Sequence, residues 1–516
     1  MRHLHACALL LIAASAAAAA DWPQFGRDAS RNGVSPEKNP PTWWQLPERD
    51  DDKKPLKPPR NVRWAAEVSS NGSYSNRIIG DPVVAGGLVW VGVNEAIDLG
   101  EEKGLDHRTA LVCLDEKTGK ELFRRPTGRI VESGQDGRWH AHGSSPCVEG
   151  DSLWVLTNRS EVVCLDLAPL RTRTGPPRER WVLDTRKTLG VTPAAALFPH
   201  RRSSPAVYKD WVYVGTGHGR CDWRDRVADA PSFLCLEKAT GKVVWADKSP
   251  GQNIIHIQTA SPTVIEAGGR AQVVVPQGDG WVRAFDPPTG KLLWEFDTNP
   301  HDAVSRHEDF NNPRNELLAA AVFHGGKLYV GNGSNPELSD PPGWLYCIDP
   351  TRTGDISPVF TRGPDKGKAN PNSGMVWKYG GVGRSVPKDK WGRHPVIFGR
   401  TLTNVAVADG LVIACDVSGR VHCLDAATGR VCWTHTDREL CSIQGSPLVV
   451  GGRVYVASCY GGVWMFDLSR EKRVLGRIGD EFWSQCSPVF ANGTLYLADN
   501  QRLYAVAGDE RRPNGR

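Results

Sequence analysis

Eight polar side chains stand just ahead of a recurring apolar step: His140, His142, Arg202, His256, Gln258, Thr259, Gln444 and Gln485. The step is Ser-Pro, as at Ser145-Pro146, Ser204-Pro205, Ser261-Pro262, Ser446-Pro447 and Ser487-Pro488. Arg202, Thr259, Gln444 and Gln485 share one offset from their prolines; His140 and His256 share another. Guanidinium, hydroxyl and amide groups at one offset suit a polar ligand or trapped water, because together they donate and accept. Imidazoles suit metal binding or proton transfer. His140 and His256 fall in units two repeats apart, however, too far to share a zinc ion, so no metal site is expected. His301, Asp302, His307, Glu308 and Asp309 form a further charge cluster and read as a polar loop.

A second family of candidates is acidic. Asp115, Glu237, Asp286 and Asp425 each open a turn of the form D/E-x-x-T-G-K/R, and each precedes an aromatic at one constant spacing: Phe123, Trp245, Trp294 and Trp433. A lone carboxylate here could serve as a general acid or base. Recurrence in unit after unit fits turn capping instead, with the acid accepting backbone N–H groups and glycine taking the positive-φ position.

These positions demand a repeating scaffold. Each unit reads as four short strands. Strand A carries the Ser-Pro step. Strand B follows a tight Gly-Gly, Asp-Gly or Asn-Gly turn and centres on Trp90, Trp154, Tyr213, Val274, Tyr329, Ile413, Tyr455 or Tyr496. Strand C ends at the acid and strand D at the aromatic. Proline is tolerated on an edge strand, and the innermost strand of a radial blade has one edge facing the channel. Strand A begins eight times, near residues 82, 146, 205, 262, 321, 405, 447 and 488. The eighth unit stops after strand C, while Asn61–Trp64 looks like a strand D with no unit of its own. The expected fold is therefore all-β, an eight-bladed β-propeller of four-stranded antiparallel blades. An N-terminal strand completes the last blade and closes the ring, which removes open sheet edges. The propeller is expected over residues 60–507, after an N-terminal extension at 21–59 and before a C-terminal tail at 508–516.

Composition narrows the function. Over 516 residues, 63 basic and 58 acidic side chains leave a net charge of +5, too balanced for a nucleic-acid binder. Residues 1–20 read as a signal peptide, with an apolar run and an A-x-A step before Asp21. Cys7 precedes most of that run, so no lipid anchor is expected. No later segment is apolar for long enough to span a bilayer. The chain is expected in the periplasm or outside the cell. Of 13 cysteines, Cys113, Cys164, Cys235, Cys347 and Cys423 share one repeat slot with Ala284, Met465 and Ala505. A slot that accepts Cys, Ala and Met is an apolar packing position.

The A-x-D-x-x-T-G-K-x-x-W pattern with Ser-Pro opening strands resembles the pyrroloquinoline-quinone (PQQ)-type β-propeller repeat. That family includes quinoprotein alcohol dehydrogenases, the outer-membrane assembly lipoprotein and exported bacterial propellers. Trp22-Pro23-Gln24-Phe25-Gly26-Arg27 with Arg31-Asn32-Gly33-Val34 resembles the leader of the last group. The resemblance implies that the strand-D tryptophans Trp64, Trp181, Trp245, Trp294, Trp377 and Trp433 dock on neighbouring blades. It also implies two functions. One is a non-catalytic, monomeric scaffold that binds an envelope protein or a small polar ligand through the face where long insertions cluster: 92–110, 184–203, 217–232, 298–316, 332–343 and 380–401. The other is a PQQ- and Ca²⁺-dependent alcohol or sugar dehydrogenase with its cofactor in the funnel. The sequence has no adjacent cysteine pair and no CxxCH haem motif, so the scaffold is preferred.

Overall fold

The computed structural model describes residues 20–49, 55–69, 78, 80–98, 105–127, 143–192, 203–220, 226–304, 309, 311–333, 342–385, 387–388, 392–436, 442–479 and 482–507. The signal-peptide and tail assignments lie outside them. Blade 1 runs from the axis outward as Val83–Ala85, Leu88–Asp98, Leu105–Asp115 and Glu121–Thr127. Six further sheets follow in chain order. Val489–Ala491, Thr494–Ala498 and Arg502–Ala507 then form three strands of blade 8, and Val62–Glu67 pairs with the last of them as its fourth. The ring of eight antiparallel blades is thus closed by the N-terminal strand.

Two blades exceed four strands. Gly354–Asp355 adds in parallel to the outer strand of blade 4, Leu292–Asp297. Val396–Phe398 adds to the outer strand of blade 5, Met375–Val382. The segment 92–110 is largely strand as well: blade 1 extends two strands of 11 residues into a long hairpin. Hydrophobic alternation over a few residues marks a strand but does not tell where pairing stops, so these additions had no sequence signal of their own.

Seven of the blades carry one row of side chains across all four strands, and in blade 7 the row ends at Gly476. In blade 2 the row is Cys147, Trp154, Cys164, Trp181; in blade 8 it is Val489, Tyr496, Ala505, Trp64. A small strand-C residue between two aromatics lets both rings pack at interior density. Burial accordingly pushes the Cys164 thiol up to about 11, and those of Cys235, Cys347 and Cys423 to about 12. Among the described residues no two cysteines form a disulfide.

The outer aromatic joins blade to blade. The Trp64 indole N–H donates to Glu116 O (2.9 Å), Trp181 to Lys238 O (3.2 Å), Trp245 to Pro287 O (2.9 Å), Trp377 to Ala426 O (3.0 Å) and Trp433 to Ser469 O (2.9 Å), each on the next blade's C–D turn. Trp294 reaches the next blade through a relay. It donates to Gln272 Oε1 (2.7 Å), and Gln272 Nε2 donates to Pro350 O (3.0 Å). The rings lie directly on the turn glycines. A Cβ on Gly241 would sit 2.5 Å from Trp181, and one on Gly119 2.6 Å from Trp64. At φ +74° and +69° these turns also need the left-handed region.

Candidate functional site

The axis is built from two layers. The first is a belt of hydrogen bonds made by the residue that precedes each strand-A proline, or its equivalent. The Ser145 amide donates to Ser204 Oγ (3.0 Å) and the Ser204 amide to Ser261 Oγ (2.9 Å). Around the other side, Ala320 N donates to Asn404 Oδ1 (3.0 Å), Asn404 N to Ser446 Oγ (3.0 Å), Ser446 N to Ser487 Oγ (2.8 Å) and Ser487 N to Asp81 Oδ1 (2.7 Å). Serine recurs here because its hydroxyl is short enough to reach one blade across. Ala320 has no such acceptor, and the link from Ser261 is missing where it stands.

The second layer is the leader, which lines the free edges of strand A. Trp22 exchanges two backbone bonds with Val84 (2.8 and 2.9 Å). Val148 N donates to Pro23 O, Val264 N to Ala29 O, Phe323 N to Ser30 O and Val449 N to Gly33 O (2.8–3.1 Å). Asn32 pairs its amide with both backbone groups of Val407 (2.9 Å each), and Glu37 accepts from Gly493 N (2.8 Å). Arg31, fully buried, donates to Pro262 O (2.8 Å), Phe25 O (2.8 Å) and Pro205 O (2.9 Å). Burial pushes its guanidinium down to about 10. All eight blades are bonded to residues 22–37. Sequence reasoning found this leader as a resemblance but not as a plug.

Above the belt, Phe25, Asp81, Thr259, Leu318, Leu402 and Asn404 enclose a cavity with room for about one water molecule. Asp81 and Asn404 are already acceptors in the belt. The lining of this cavity therefore supplies one carboxylate, Asp81, and among the described residues no three His, Cys, Asp or Glu side chains converge. A Ca²⁺ shell of six to eight oxygens does not assemble from them.

The eight candidates divide. His140, His142 and Arg202 lie outside the described residues. Thr259 lines the axial cavity. Gln258 is fully buried and bonded on both sides, donating to Pro276 O (2.9 Å) and accepting from Gly278 N (3.1 Å), so it ties the blade 3–4 loop to blade 4. His256 sits beside it; burial and the nearby Arg220 push its imidazole down to about 4. Gln444 donates to Ser442 Oγ (3.0 Å), and Gln485 is buried. Their loops touch, since a Cβ on Gly445 would meet Cys486 O at 2.4 Å. His301, Asp302 and Asp309 are described, whereas His307 and Glu308 are not. The recurrent acids cap their turns: Asp425 Oδ1 accepts from Thr428 N (2.9 Å) and Thr428 Oγ1 (2.7 Å), which with Arg470 holds its carboxyl at about 2.

A propeller of this architecture with these repeats belongs to a defined class. The family profile described as outer membrane protein assembly factor BamB matches residues 107–339 and 370–510, most of the chain, and the protein belongs to that family of PQQ-type propellers. It is 27% identical over 212 residues to quinohemoprotein alcohol dehydrogenase ADH IIB of Pseudomonas putida, covering 36% of this chain and 26% of that one. It is 24% identical over 307 residues to quinoprotein alcohol dehydrogenase PedH of the same species, covering 54% and 44%. The chain thus spans less than half the length of these curated relatives. The quinohemoprotein alcohol dehydrogenase structure from Comamonas testosteroni superposes with a TM-score of 0.57 at 12% identity, covering 97% of this chain and 83% of that one. That likeness shows the fold.

Proposed function

We propose that this protein is an exported binding scaffold of the cell envelope, engaging a protein or small polar ligand through its long-loop face. The observation that carries this reading is the filled axis. Among the described residues the leader and the belt use the polar groups that converge there, and the cavity they enclose has room for about one water molecule. A cofactor of PQQ's size, with its metal, needs an open cradle of oxygen donors. Elaborated loops on a closed rigid ring suit partner recognition. Among the described residues no helix is long and apolar enough to cross a membrane.

The relatives' names favour one competing reading, a quinoprotein dehydrogenase. Incubating the purified protein with PQQ and Ca²⁺, then following quinone absorbance and dye reduction with alcohols and aldoses, separates the two. The expected result is no stoichiometric binding and no turnover, with crosslinking in intact cells recovering one envelope partner. Stoichiometric quinone with substrate-dependent dye reduction overturns the scaffold.

A further inference from the structure

On the face opposite the long loops, the two elaborated C–D connections have different fates. The one in blade 5 is consumed by packing. Gly354 and Asp355 pair with Trp294 and Glu295, Ile356 N donates to Glu295 O (2.9 Å), and Ser357 Oγ accepts from Asp297 N (2.9 Å). The one in blade 2, residues 167–177, instead walls a cavity of about 600 Å³ where blades 8, 1 and 2 meet. That volume is in the range of small-molecule sites.

Its charged lining is Arg63, Asp115, Glu116, Lys117, Arg171 and Arg173. The acids are engaged by neighbouring donors. Asp115 caps its own turn, accepting from Lys117 N (3.1 Å) and Thr118 N (3.0 Å), and pairs with Arg173. Glu116 accepts from Asn492 Nδ2 (2.9 Å) and Tyr496 Oη (3.3 Å). Arg171 is paired with Asp151 outside the lining (2.8 Å), and its buried Nε has no acceptor. Among the described residues Arg63 and Lys117 form no hydrogen-bonded ion pair with a carboxylate, although Arg63 lies within electrostatic reach of Glu116. Arg63 donates to neutral oxygens of Thr494 (2.7 Å) and Gly493 (3.5 Å), and the Lys117 ammonium is exposed. The bond from Trp64 to Glu116 O holds the strand of Arg63 against the turn of Lys117.

From this surplus of donors in a concave site we propose that the cavity between blades 8, 1 and 2 binds a small ligand carrying two or more anionic groups, carboxylate or phosphate. Arg63 and Lys117 supply the charge, and the inserted loop supplies the wall. The site is independent of the long-loop face.

The test uses the full mature chain at low salt, with pyrophosphate and citrate as probes in calorimetric titrations and thermal melts. At least one probe is expected to bind saturably and raise the melting temperature, and to bind more weakly as salt screens the contact. The pair of probes reports whether phosphate or carboxylate is preferred. Lys117→Glu is expected to leave the ligand-free melt unchanged and to weaken binding about tenfold or more, the scale of one charge-assisted contact. Lys120→Glu makes the same charge change on the same turn outside the lining, and is expected to retain binding. Absence of binding by both probes overturns the proposal. So does equal weakening in the two variants, which would report net charge rather than a site. Should Lys117→Glu alter the ligand-free melt, Lys117→Gln carries the same comparison.

Discussion

At the scale of single residues, the repeat motif has a physical cause in the contact between a tryptophan and a glycine. Gly241 needs both a left-handed backbone and the absence of a Cβ, because Trp181 occupies that space. Gly269 has a similar φ, +73°, with nothing within 4 Å of a Cβ. Gly269→Ala is therefore expected to cost about 1–2 kcal/mol from backbone strain alone. Gly241→Ala adds overpacking of roughly 1–3 kcal/mol. Urea unfolding of the two variants side by side measures the difference, and equal destabilisation would remove the docking explanation. The recurrent Asp was legible as a cap because it recurs. The cysteine slot was legible for the same reason, since Ala and Met share it. Native thiols at Cys147, Cys235 and Cys347, pushed to about 12, are expected to resist alkylation at neutral pH and to react on unfolding. Rapid labelling of the folded protein at any of these positions contradicts that packing.

At the scale of elements, the ring and its closing strand were readable from the sequence, and the plug was not. Periodicity reports strands and turns, because each repeat states them again. The leader occurs once, has no period, and is held by backbone groups that any sequence possesses. Asp21, Gln24, Arg31, Asn32 and Glu37 are the side chains that add bonds to the blades. The same limit explains Gln258: its offset marked it as polar and axial, but its partners, Pro276 O and Gly278 N, lie in a turn whose geometry no spacing reveals. A chain beginning at residue 38 loses the partners of Val84, Val148, Val264, Phe323 and Val449. At about 0.5–1.5 kcal/mol per hydrogen bond, the expected loss is roughly 5 kcal/mol. Exposed inner edges should also promote association. A lowered thermal midpoint, restored by adding a peptide of residues 20–37, is the expected outcome. An unchanged midpoint would show that the ring does not depend on its plug.

For the whole molecule, stability is coupled to pH through side chains buried where blades meet. His256 is pushed down to about 4, and burial lowers His218 as well, despite its contact with Ala228 O (3.0 Å); its Nδ1 accepts from Thr192 N (3.2 Å). An unfolded histidine titrates near 6.5. As pH falls from about 6.5 toward 4 the unfolded chain takes up protons that the folded chain refuses, so stability falls across that window. The capping carboxylates Asp115, Asp166, Asp349 and Asp425 are lowered, so their contribution is lost at more acidic pH. Asp297, Asp499 and Glu116 are raised by burial, so protonation favours their folded state and works in the opposite direction. A difference measurement isolates the histidine. Wild-type protein and His256→Gln should be unfolded in urea at pH 7 and at pH 5. The variant is expected to lose less stability between the two, because the proton-binding step of residue 256 is gone while every carboxylate remains. Parallel losses would mean that His256 is as free to take a proton in the ring as in the unfolded chain, and would place the acid sensitivity elsewhere in the blades.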